Sequence, residues 1–503
     1  MSTSLATAYT NKTFLLPRST SVNLPMEYTG FKRLTQEDNG PFGAYLQTSV
    51  FYSQSANAAE IAKYFLVNDK STITFPLSAN VTVPGPVVIQ TRSTVTNDVD
   101  LGYLENFSID AVNATAFDTA GGTPTLTLAP KQEAYGFVLA YHQKLGNTGW
   151  LLDLSLPIVN IENDLEFKFT GQRVEVPAFV GQPFDLKQNL VENFTGVPLT
   201  MVSGGLDARF NTFHTAAKFG KTRSAGAADL DVRLAYQVLN KVNYHGTLGA
   251  GLTVPMGNRP TGEFVFEAIR GNGRHFGLGA DLDFDARIWG NVEHNLIFNI
   301  ISHYRYLFTT KQTRTLGLKG RPFGQHYLLG HNGDLLGTLL TPAANVLTLP
   351  VDVAGRSQCD TVFGFTYNNC ALTADLGYNL YYRDAEVVRQ RTVFQDGMWA
   401  VAARGFNPRV NNFNINDPDA VDGGVPGTPV GQGTAVVNNS TIDADVAATP
   451  SQCTHSVYAS IGYLLGRDSD YPWMLSVGGK YEWPERNSAL EQWGIWGKAG
   501  VGF

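Results

Sequence analysis

The chain is short of charge. Asp, Glu, Lys and Arg make up 16% of its 503 residues, against roughly 25% in soluble domains. It also lacks long apolar runs. Nowhere do about 18 consecutive apolar residues occur, which excludes helices that cross a bilayer. The net charge is −7 and Lys and Arg form no cluster, so nucleic acid is excluded as a partner, because phosphate binding needs a concentrated basic face. Met1–Ala8 offers neither a basic start nor an apolar core, so no export signal is legible there and a processed chain is expected. Cysteine is scarce: Cys359, Cys370 and Cys453 match no zinc or redox spacing. No metal or other cofactor is expected.

What is plentiful is glycine (51), phenylalanine (30) and tyrosine (21). Strict alternation is also common. Leu230, Val232, Leu234, Tyr236 and Val238 alternate with Asp229, Asp231, Arg233, Ala235 and Gln237. Phe276, Leu278, Ala280, Leu282, Phe284 and Ala286 alternate with Gly277, Gly279, Asp281, Asp283, Asp285 and Arg287. The same pattern recurs around 244–254, 295–305, 372–381, 456–463 and 473–483. Period two over about nine to eleven residues fits a tilted strand with one face on lipid and one on a polar interior.

The last stretch, Trp493-Gly-Ile-Trp-Gly-Lys-Ala-Gly-Val-Gly-Phe503, sets Trp493, Ile495, Ala499, Val501 and Phe503 against Gly494, Lys498, Gly500 and Gly502. Trp496 and Gly497 break the pattern. This segment resembles the closing strand of Gram-negative outer-membrane β-barrels, which typically ends on a carboxy-terminal phenylalanine. The resemblance implies a bacterial outer-membrane location, with lipid and lipopolysaccharide as surroundings.

The expected fold is all-β: a transmembrane antiparallel up-and-down barrel of about 12 strands, with 14 left open. The weakest strand lies near 359–367. With Phe503 on the periplasmic rim, short connections fall at 145–148, 239–243, 288–291, 368–371 and 467–472 on that side. Long loops fall at 54–134, 160–225, 256–273, 308–358 and 384–453 on the other, with 484–491 the one short outer turn. Residues 1–41 precede the barrel, start in the periplasm, and read as a plug or strap; residues 42–503 form the barrel with its loops. Ala56–Leu66 in the first loop reads as an amphipathic helix.

Aromatic residues gather at strand ends, as interfacial girdles do: Trp150, Tyr244, Trp473 and Phe503 near one rim, Trp483 and Trp493 near the other. Expected pore-lining residues are Asp229, Asp231, Arg233, Asp281, Asp283, Asp285, Arg287, Arg305, Lys480 and Lys498. As a free acidic ladder they would favour cations; as a paired network they would only fill the interior. An oxidising export route would permit one disulfide. Cys359 and Cys453 are the candidate pair because both fall near the outer rim; free thiols are the alternative. Loop acids Asp417, Asp419, Asp422, Asp443 and Asp445 match no calcium loop.

The leading functional expectation is a porin-like channel for passive diffusion of ions or small polar solutes, not an enzyme, compatible with a homo-oligomer. The first alternative is a surface adhesin or assembly protein anchored by its barrel. A third is a FadL-like transporter of apolar solutes, disfavoured by the polar inward positions.

Overall fold

The structure is a computed structural model that describes residues 11–19, 23–30, 43–66, 70–74, 86–87, 109–110, 125–146, 148–170, 194–196, 214–291, 293–319, 324–326, 328–331, 340–401, 436–466, 469–486 and 488–503. Its centre is a closed barrel of 12 antiparallel strands. These are β1 (Ala44–Ala56), β2 (Lys131–Lys144), β3 (Trp150–Asp164), β4 (Lys221–Ala227, resuming as Leu230–Asn240), β5 (Tyr244–Val254) and β6 (Gly277–Gly290). They continue with β7 (His294–Leu307), β8 (Arg356–Asn369), β9 (Leu372–Arg383), β10 (Gln452–Leu465), β11 (Trp473–Pro484) and β12 (Glu491–Gly502). Each strand pairs with its sequence neighbours, and β1 closes the ring on β12, Tyr45 opposite Gly502. Backbone hydrogen bonds between Ala44 and Phe503 seal the seam. A ring without edges satisfies the backbone groups along the wall, the condition for immersion in hydrocarbon.

Burial follows the alternation. Leu46, Val50, Leu248, Leu278, Leu376, Ile461, Val477 and Ile495 are exposed on the outside. An apolar belt on so many strands is untenable in water and natural in lipid. Trp150, Tyr244, Trp473, Trp483 and Trp493 are exposed at strand ends. Tyr52 packs on Trp493 and Trp150 on Tyr236, with ring centroids 5.6 and 5.2 Å apart.

Trp496 and Gly497 break the pattern in residue type only. Along β12 the burial alternation runs on without a slip, which turns Trp496 inward (4% exposed) and Gly497 outward. Gly478 across the ladder makes room for the indole, since a Cβ there would stand 2.6 Å from the ring. β4 starts earlier than the sequence pattern places it. Its first part presents Lys221, Arg223 and Ala225 to the outside, so the apolar signal is missing where the strand rises above the belt.

Tight turns lie at one rim and long connections at the other, save the short link from Pro484 to Glu491 on the long-loop side. Over the long-loop rim, Leu316, Leu318, Leu329, Leu347, Val351, Val353 and Val388 form an apolar cluster of their own. The cap therefore has a core separate from the barrel. The helix in the first loop spans Ala58–Phe65 and buries Ile61, Ala62, Tyr64 and Phe65.

Candidate functional site

Nothing local fixes residues 11–19 and 23–30: they carry no strand alternation, and their one helix, α1 (Leu24–Tyr28), is a single turn started by Pro25. Long-range contacts fix them instead. Glu27 accepts from Arg233 on β4 at 3.2 Å, and Lys498 on β12 donates to the carbonyls of Glu27 and Thr29. Tyr28 meets His303 on β7, and the Gly30 N–H donates to Asp375 on β9 at 2.9 Å. Partners on β4, β7, β9 and β12 surround the segment, so it lies within the ring. The sequence reading starts 1–41 on the short-turn side. Residues 1–10, where that start falls, lie outside the described residues; beyond them, Thr13 donates its N–H to Val446 O in the cap, and Gly30 lies beside Met474 and Ser476 near the short turns. The described residues 13–19 and 23–30 therefore run down the bore.

Arg18 is the best anchored residue. Its guanidinium donates to Asp360 at 2.7 Å, Asn379 at 3.0 Å and Glu482 at 3.3 Å, and lies 4.6 Å over the Tyr381 ring. Asn379 also donates to Asp360 at 2.5 Å, while Lys480 and Thr454 donate to Glu482 at 2.7 and 2.8 Å. Two cations thus balance two carboxylates away from bulk water, the condition under which such charges are tolerated.

A second network lies across the bore. Arg305 on β7 donates to Asp281 at 2.7 Å and Asp231 at 2.9 Å. Gly251 makes room for it, because a Cβ there would run into the guanidinium. Arg233 contacts His303 at 2.7 Å, Glu27 at 3.2 Å and Asp153 at 3.6 Å, and Asp153 meets His142 at 2.5 Å. Of the two arrangements the sequence leaves open, a free acidic ladder or a paired network, Asp231 and Asp281 adopt the paired one. Further toward the short turns, Asp285 meets His245 at 3.1 Å, and Asp283 is half-buried.

Two expected pore-lining residues do other work. Asp229 sits in the break within β4, fully buried, and its carboxylate accepts backbone N–H groups of Met256, Gly257 and Asn272. It pins the two ends of the β5–β6 connection, and the break in the ladder is why strand parity misplaces it. Arg287 donates to Val242 O and Asn243 Oδ1 of the neighbouring turn, at the rim.

The Cys359–Cys453 disulfide is also overturned. Both thiols are free. Tyr382 on β9 pairs with Cys359 on one side and Cys453 on the other. One intervening strand puts the two about 10 Å apart, beyond the roughly 7 Å a disulfide spans. Asp417, Asp419 and Asp422 lie outside the described residues.

The sequence reading missed Arg18, Glu27 and Asp360. Asp360 has inward parity on β8, and inward acids such as Asp153, Asp360, Asp375 and Glu482 call for cations beyond the wall's own. That imbalance is the one legible signal for Arg18. The interior also has an apolar side, where Leu24 and Met26 pack against Val138, Ile301, Val362, Tyr458 and Trp496. Little space remains between segment and wall. One cavity lined by Arg18, Asn23, Phe51 and Trp496 and another lined by Glu27, Asp231, His303 and Arg305 each measure ≈ 30 Å³, room for one or two waters.

In the cap, Arg314 is fully buried, donates to Gln312 and to Ala447 O, and lies 3.2 Å over the Phe14 ring. Burial pulls its pKa down to about 10, partly offset by Glu386. Burial alone would raise the Glu386 carboxyl, but Arg314 and Arg383 together hold it below its ordinary value.

The closed pairing, apolar exterior and polar interior define a transmembrane β-barrel. No family model matches the chain and no curated protein does. Among solved structures it is similar to an outer membrane channel from Pseudomonas putida F1, at 8% identity over 92% of this chain and 96% of that one, with a TM-score of 0.38. It is similar also to a Pseudomonas aeruginosa FadL homologue, at 9% identity over 97% and 98% of the two chains and a TM-score of 0.30. The NanC porin overlaps at 9% identity over 74% and 93%, with a TM-score of 0.25. Likenesses this weak carry no argument about solute or mechanism.

Proposed function

We propose that this barrel is a bacterial outer-membrane channel for passive diffusion of ions or small polar solutes, closed in the state described by its own N-terminal segment. Long loops face outward toward lipopolysaccharide and tight turns face the periplasm. Trp150, Tyr244, Trp473, Trp483, Trp493 and Phe503 serve as the interfacial girdles.

The observation that supports a conduit rather than a mere anchor is the chemistry between segment and wall. Arg18, Glu27 and the backbone of residues 27–30 meet the wall chiefly through ion pairs and hydrogen bonds. Water replaces such contacts at modest net cost, so the segment can leave the wall more readily than an apolar plug could. With the segment withdrawn, Asp360 and Glu482 lose Arg18 while Arg233 loses Glu27, so the charge of these pairs is unchanged in sum and the face around Asp360 and Glu482 is left acidic, which favours cations there.

Planar-bilayer recording tests this reading. The full chain should rest mostly closed with brief openings, and openings should prefer cations, weakened by Asp281→Asn with Asp283→Asn and Asp285→Asn. A barrel silent in every variant, whose loops bind cells, would establish the adhesin reading instead. The apolar side formed by Val138, Ile301, Val362, Tyr458 and Trp496 favours a second reading, passage of apolar solutes. Liposome swelling separates the two: entry of small sugars or amino acids supports the polar channel, and entry of small aromatics alone supports the other.

A further inference from the structure

We propose that Glu293, His294 and Cys370 form a binding site for a divalent metal ion of the Zn²⁺ class, clamping two adjacent tight turns at the short-turn rim. Their carboxylate, imidazole and thiol ligand atoms all lie within 4.8 Å of one another. Around a tetrahedral zinc, with bonds of about 2.0–2.3 Å, ligand atoms stand roughly 3.4–3.8 Å apart. Small side-chain rotations close that difference.

The backbone is already arranged for it. Glu293 belongs to the turn between β6 and β7, His294 opens β7, and Cys370 belongs to the turn between β8 and β9. The Cys370 N–H donates to the Glu293 carbonyl at 2.9 Å, so the turns are joined before any ion arrives. Asn291 Oδ1 accepts the N–H groups of both Glu293 and His294 at 2.9 Å. His294 stands opposite Asn369 in the ladder, which fixes its distance from the second turn. Cys370 occupies a left-handed backbone conformation, φ 49°. Sterics favour glycine or asparagine there, yet the position carries a thiol.

The donor set identifies the ion. A thiolate with an imidazole selects zinc-like ions over Ca²⁺ or Mg²⁺, which take oxygen ligands. The thiol gives up its proton on binding, so thiolate and carboxylate balance the charge of the ion. Glu293 and Cys370 are exposed and His294 is half-buried, so the ion enters from water. Three ligands leave a fourth position for water or a further donor. The site lies apart from Arg18 and the bore.

The test is Co²⁺ titration of the full chain, purified in detergent, reduced and stripped of metal. The expected result is a thiolate-to-cobalt charge-transfer band with tetrahedral visible bands at one ion per chain, displaced by Zn²⁺. Cys370→Ser should abolish the charge-transfer band and His294→Gln should weaken affinity at least tenfold, while Cys359→Ser and Cys453→Ser leave both intact. Heat-modifiable gel migration verifies that each variant keeps its barrel. No band in the native chain, or a band that survives Cys370→Ser or vanishes with Cys453→Ser, would overturn the proposal.

Discussion

Replacing Arg18 by alanine should unlock the channel. Arg18 reaches Asp360 at 2.7 Å and Glu482 at 3.3 Å, and each of the three side chains is at most 4% exposed. Removing one partner of a buried pair typically costs about 3–5 kcal/mol. The lower end applies here. Glu482 keeps Lys480 at 2.7 Å and Thr454 at 2.8 Å, while Asp360 keeps only a neutral amide, Asn379. About 3 kcal/mol is about two decades in an equilibrium constant, so the open-to-closed ratio should rise about 100-fold. Single-channel recording in planar bilayers reads that ratio directly. Arg18→Lys, which keeps the charge without the planar fork, should fall between wild type and alanine. If wild type and Arg18→Ala share the same open probability, the segment is not held by this contact and the account of closure fails. A wild type that is permanently open would refute it equally.

The remaining predictions concern packing and pH. Gly251→Ala should displace Arg305 from Asp231 and Asp281 and lower stability by about 1–3 kcal/mol, as overpacking does; a thermal midpoint equal to wild type would refute this. Brominated lipid should quench Trp150, Trp473, Trp483 and Trp493 but spare Trp496, so Trp496→Phe should remove part of the unquenched emission. An unchanged residue of emission would place Trp496 on the lipid side. His214 and His275 are buried outside the membrane strands, and burial lowers the pKa of each to about 4 from 6.5. Between those values the opened state binds more protons than the native one. The contribution of each ring is therefore complete above pH 6.5 and declines toward pH 4, by about 3 kcal/mol at most. Hydrogen exchange around residues 214–219 and 273–276, corrected for intrinsic rates, should quicken from pH 7 to pH 5. Flat protection would contradict it.

The wall of the barrel was legible because a strand's period is local: Leu230 to Val238 declare both their conformation and their two faces within nine residues. Even the weakest strand, near 359–367, emerges as Arg356–Asn369. The filling was not legible, for the opposite reason. Arg18 and Asp360 are 342 positions apart, and no spacing rule ties them. Asp229 shows where parity fails, since a break in the ladder turns an apparent lining residue into a loop clamp. Cys359 and Cys453 show another failure: the rim was inferred, but the strand between them sets the distance.

Arg314 grips Phe14 from the cap, and Arg18, only four positions further along, grips the wall. Exterior canopy and interior stopper hang on one short length of chain. Coupling of that kind is reciprocal: whatever pries the canopy apart makes the stopper easier to withdraw, and by the same free energy withdrawal loosens the canopy. A molecule that settles on the outer surface of this barrel therefore need not enter the bore to change what passes through it.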